Sequence, residues 1–110
     1  MKPKNGMPPV HPGEILNEDL EEMGLTPKTF AYKLGIPAEH MTAILAGKRD
    51  VDAEFALRLE RYFGSGARMW MNLQTAYSLK VAERDLGKKI TDEVVPREDE
   101  EARAEAVEAV

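Results

Sequence analysis

Apolar residues return at helical spacing almost as soon as the chain leaves its first ten positions. Ile15, Leu16, Leu20 and Met23 recur at helical spacing, while Glu14, Glu18, Asp19, Glu21 and Glu22 fill other positions. That spacing predicts a first amphipathic helix from Pro12, stopped by Gly24. Thr26 followed by Pro27 is a helix start, a hydroxyl N-cap before a residue whose fixed φ suits the first helical position. This second helix buries Phe30, Ala31 and Leu34 and ends at Gly35. Pro37 opens a third, whose inward residues are Met41, Ile44 and Leu45 and whose end is Gly47. A fourth follows Asp52, another N-cap, and presents Ala56, Leu57, Leu59 and Phe63 before Gly64. The fifth begins near Ser65 or Gly66 and runs past Trp70, Leu73, Ala76, Tyr77 and Val81 towards Gly87. No alternating β-branched run competes with these patterns, so the class is all-α with five helices.

The second and third helices are short and joined by a glycine-containing turn, the signature of a helix-turn-helix. Phe30, Ala31, Leu34, Gly35, Met41, Ile44 and Leu45 form its core: a small Ala31 permits close approach, and Gly35 permits the tight turn. The outward residues at the start of the third helix, Ala38, Glu39, Thr42 and Ala43, are the candidates for contact with base edges in a major groove. Glu39 could accept from a cytosine amino group, and alanine could touch a thymine methyl. Lys28, Lys33, Lys48 and Arg49 are placed to hold phosphates on either side. Each also has a plainer reading, a carboxylate or cation answering a helix dipole or simply solvated. Trp70, Leu73 and Tyr77 form a stripe that reads as core, or as a surface for a dimer mate or partner. His11 reads as a residue that caps or packs at the start of helix one, and His40 as a surface residue.

Charge changes this picture only at the C-terminal end. The net charge is −5 over 110 residues. Residues 91–110 carry eight acids against Arg97 and Arg103, so residues 1–90 are close to neutral, at +1. Local rather than total charge decides whether phosphates are attracted, and the acidic balance does not exclude DNA. The expected layout is a loose arm at 1–10, a helix-turn-helix domain at 11–87, and a connector and acidic tail or short helix at 88–110. The acidic segment 97–110 is a solubilising tail, or it docks on a basic partner or assists dimerisation. The absence of cysteine excludes disulfides and thiol chemistry. Two histidines without metal-ligand spacing offer no metal site, and no nucleophile with a base or phosphate-cradling loop supports catalysis. The N-terminus has no signal-peptide pattern and no apolar run reaches membrane-spanning length, so a cytoplasmic, non-enzymatic protein without cofactor is expected.

The chain also resembles a known family. His11-Pro12-Gly13-Glu14-Ile15-Leu16 resembles the opening of HigA-type (VapI-type) antitoxins, lambda-repressor-like regulators of the XRE class. Leu34-Gly35-Ile36-Pro37, Ala46-Gly47-Lys48-Arg49, Ala56-Leu57-Arg58-Leu59, Tyr62-Phe63-Gly64 and Trp70-Met71-Asn72-Leu73-Gln74 follow in the family's order, over roughly residues 10–84. The resemblance implies a cytoplasmic, commonly dimeric protein that neutralises a HigB-type toxin, a RelE-like mRNA endonuclease, and represses its own operon at double-stranded operator DNA. Ala38, His40 and Thr42 stand where relatives often carry arginine or asparagine, so base preference does not transfer. Two alternatives stay open: a stand-alone regulator without a toxin, and a toxin-neutralising module that has lost DNA binding.

Overall fold

The computed structural model describes residues 8–99; most of the N-terminal arm and residues 100–110 of the acidic segment lie outside the described residues. The order is α1 (Pro12–Met23), α2 (Pro27–Leu34), α3 (Ala38–Leu45), α4 (Ala53–Phe63) and α5 (Ala67–Glu93), then a single 3-10 turn at Arg97–Asp99. The chain forms two compact units, one up to Leu79 and one from Lys80. The all-α, five-helix class expected from the pattern is the one observed among the described residues.

Local chemistry sets the helix ends of the first unit. His11 caps α1, its Nδ1 accepting the Gly13 N–H at 2.8 Å ahead of Pro12. Thr26 caps α2 by accepting the Thr29 N–H at 3.1 Å. The far end of α2 closes with two reversed bonds, Ile36 N–H to the Ala31 carbonyl and Gly35 N–H to that of Tyr32, at 3.0 and 3.1 Å. This closure needs Gly35 in the left-handed region, and its φ is 74°. The same pair of bonds closes α3, with Lys48 N–H on Ala43 and Gly47 N–H on Ile44. Asp52 caps α4 through the Phe55 N–H at 2.9 Å. Replacing Asp52 with alanine removes that acceptor; the expected loss is about 1 kcal/mol, read as a fall of roughly 4–8 °C in thermal unfolding.

The core is one cluster. Leu16 and Leu20 from α1, Phe30, Ala31 and Leu34 from α2, and Met41, Ile44 and Leu45 from α3 meet Phe55, Ala56 and Leu59 from α4, with Val51 and Trp70. Phe30 is fully enclosed, with Tyr62 edge-on at 5.3 Å. All six apolar residues expected in the helix-turn-helix core are buried. Three expectations about facing do not hold. Leu57 is 58% exposed, because Phe55, Ala56 and Leu59 share the inward face of α4 and the helical rotation of about 100° per residue turns Leu57 away from it. Phe63 and Met23, each at the end of its helix, are also exposed.

Helix five does not stop at Gly87. Thr91 donates its hydroxyl to the Gly87 carbonyl at 3.0 Å, and Lys88–Asp92 and Lys89–Glu93 pair one turn apart at 3.1 and 2.7 Å. A glycine within a helix costs only about 1 kcal/mol, which such pairs partly offset. Val94 to Pro96 are non-helical, as the proline requires. No helix among the described residues is long and apolar enough to cross a membrane.

Candidate nucleic-acid interface

The outer face of α3 is open. Met41, Ile44 and Leu45 turn inward, which leaves Ala38, Glu39 and Thr42 exposed and Ala43 half-buried. All four residues expected to touch base edges thus share the uncovered side of one two-turn helix. Pro37 precedes it as an extended N-cap without a side-chain hydrogen bond. Glu39 lies in the first turn, where the helix dipole favours a carboxylate independently of any ligand.

Lys28, Lys33, Lys48 and Arg49 are all exposed, and none holds an ion pair among the described residues. Lys28 stands in the first turn of α2, and Lys48 and Arg49 follow the end of α3. Lys33 is different: it stands in the last turn of α2, beside a cleft of about 360 Å³ that it lines with Leu34, Arg58, Arg61 and Tyr62. A cation there also answers the α2 dipole.

His40 is not the surface residue expected from sequence. It is half-buried, its ring stacked 6.3 Å from that of Phe55, with Nε2 enclosed and without a hydrogen-bond partner among the described residues. Trp70, offered as a possible partner contact, is 3% exposed within the chain's own core and is closed to a second molecule. Leu73 and Tyr77 are half-buried and keep some open surface.

What sequence reasoning missed is the scaffold behind α3. Gly13 lets the start of α1 touch the recognition helix: a Cβ there would collide with the backbone carbonyl of Ile44. From α4, Arg58 donates through Nη1 to the Leu34 carbonyl at 2.8 Å, while Nε and Nη2 bind Glu54 at 3.1 and 2.8 Å. Leu34 is the last residue of α2, where carbonyls lack intrahelical partners, so Arg58 ties α4 to the turn of the motif. Gln74 of α5 is buried and accepts the Val51 N–H at 2.7 Å. The sequence signals for Gln74 were its place in the family-like string at residues 70–74 and a polar residue interrupting an apolar stripe.

No family model matches the chain. It is 48% identical over 83 residues to Virulence-associated protein I of Dichelobacter nodosus, across 74% of this chain and 77% of that protein. Among solved structures it is similar to an addiction module antidote protein of the HigA family from Coxiella burnetii, at 46% identity and a TM-score of 0.77, covering 82% of this chain and 99% of the other. It is also similar to Pseudomonas aeruginosa antitoxin HigA, solved with the higBA promoter: 41% identity, TM-score 0.77, 81% of this chain and 98% of that one. Relatives of this kind are antitoxins and regulators, and the chain, like them, is not an enzyme. With identity this high over most of both chains, and the glycine-pinned α1–α3 contact and open α3 face in place, the chain belongs to the HigA-type (VapI-type) antitoxins of the XRE helix-turn-helix class.

Proposed function

We propose that this chain is the antitoxin of a type II toxin–antitoxin pair: it neutralises a RelE-like mRNA endonuclease of the HigB type and represses its own operon by binding operator DNA as a cytoplasmic homodimer. The observation that carries the DNA half is the exposed α3 face, accompanied by exposed cations on α2 and on the segment after α3 that hold no ion pair among the described residues. A relative solved with its promoter supports the same reading. Dimerisation supports it energetically. One short helix with few cations neutralises few phosphates, and affinity rises with that number; two copies about one DNA turn apart supply register as well as affinity. The toxin half rests on family membership.

Base preference should reside in Glu39 and Thr42. Exchanging Glu39 for alanine should cost about 1–3 kcal/mol on the cognate site and little on unrelated DNA. Selection of preferred sites by both proteins checks this, and identical preferences would remove Glu39 from base reading. The function itself is tested by co-expression with the neighbouring gene and by a mobility shift with the upstream DNA. Rescue of growth, a purified complex and a salt-sensitive shift are expected. A shift without a toxin would leave a stand-alone regulator; rescue without a shift would leave a neutralising module alone.

A further inference from the structure

The segment that carries Lys48 and Arg49 is fixed at both ends. At its start the Lys48 N–H closes α3 on the Ala43 carbonyl at 2.8 Å. At its end Val51 is 2% exposed, and its N–H lies just ahead of α4, where no intrahelical carbonyl is in reach. It donates instead to Oε1 of Gln74, 23 residues away, at 2.7 Å. Gln74 is 6% exposed, and its own Nε2 donates to the Ser78 hydroxyl at 3.0 Å. His11 closes the cluster from the other side, its ring edge-on to Tyr77 at 4.8 Å and its Nε2 4.0 Å from the Asp50 carboxylate. Between these points Lys48, Arg49 and Asp50 alone face solvent as a run.

We propose that Gln74 is a positioning residue for DNA binding, acting through Val51 to hold Lys48 and Arg49 where phosphates will meet them. The inference rests on the operator-binding reading above. Glutamine is well suited to such a role. Its oxygen reaches a backbone donor from a neighbouring helix, its amide is satisfied by Ser78, and no charge is buried. An apolar residue would leave the Val51 N–H buried and unpaired. The segment would then no longer hold Lys48 and Arg49 within reach of phosphates, and contacts that are not made release no counterions.

Gln74→Met removes the acceptor at similar length. Operator affinity of the full chain is measured against salt. The methionine variant should bind with a log–log slope shallower by about 2 per bound dimer, roughly 100-fold weaker near 0.1 M salt. Lys48→Ala with Arg49→Ala should cost less in the methionine background than alone. A methionine variant that melts earlier yet keeps the wild-type slope would make Gln74 merely structural and overturn the inference. Wild-type protein that fails to bind the upstream DNA overturns the operator reading, a separate result. Hydrogen exchange in the wild type needs no variant to fold: the Val51 amide should exchange as slowly as those in the middle of α4, and rapid exchange there overturns the inference.

Discussion

Replacing Gly13 with alanine should destabilise this protein more than any other single methyl group added at its surface-proximal helices. The backbone of Gly13 is ordinary helix, so the constraint is space. The added Cβ would fall on the carbonyl of Ile44, a backbone atom of the recognition helix that cannot rotate away. Either α1 lifts from α3 or the α3 backbone shifts, and both Leu16 and Ile44, fully enclosed, lose their fit. Overpacking of this kind costs about 3 kcal/mol, which for a domain of this size lowers the melting temperature by roughly 10–20 °C. Calorimetry checks the stability. Operator affinity measured well below the transition checks whether the displaced α3 still docks. A Gly13→Ala protein that melts with the wild type would mean that α1 does not approach α3 this closely.

This contact also marks where sequence reading reached its limit. Helix starts and stops depend on neighbours in sequence, and Thr26-Pro27, Asp52, Gly24, Gly35 and Gly64 announced them. The inward positions of α2 and α3 were equally legible, because short helices with one apolar face leave little choice. The role of Gly13 was not, since the atom that forbids a side chain belongs to a residue 31 positions later. Arg58 and Gln74 were hidden for the same reason: each satisfies a backbone group 24 or 23 residues away. Leu57 misled because an apolar residue next in sequence to inward ones reads as part of their face, although the helix turns it away. Gly87 misled because a glycine stops a helix only when nothing beyond it favours continuation, and here two ion pairs do. Residues on the α3 face were identified by position, whereas their base preference depends on groove geometry that no spacing encodes.

Removing both Lys48 and Arg49 should have the largest effect on DNA binding. Both are exposed, neither is committed to an acid among the described residues, and the loop beneath them is pinned at Lys48 and Val51. Their charges are therefore delivered without an ordering cost. Each phosphate contact contributes about 0.9 to the salt slope, so four contacts in a dimer contribute roughly 3.6, or on the order of a thousandfold in affinity near 0.1 M salt. Lys48→Ala with Arg49→Ala should lose this equally on cognate and unrelated DNA, in contrast to Glu39→Ala. The fold should be unaffected, since neither side chain packs in the core. Titration at several salt concentrations checks the slope. A double variant with the wild-type slope would assign the phosphate contacts to other residues.

If the open side of α3 is the surface that enters the duplex, binding must be felt there first. Titrating isotope-labelled protein with its own upstream DNA, and following backbone amides by NMR, reads this out residue by residue. The largest shifts should fall on Ala38, Glu39, Thr42 and Ala43 and on Lys48 and Arg49, while the α1 amides from Glu18 to Met23 stay in place. Shifts centred on α1 or on the far end of α5, with α3 silent, would place the DNA surface elsewhere and refute the role given to α3.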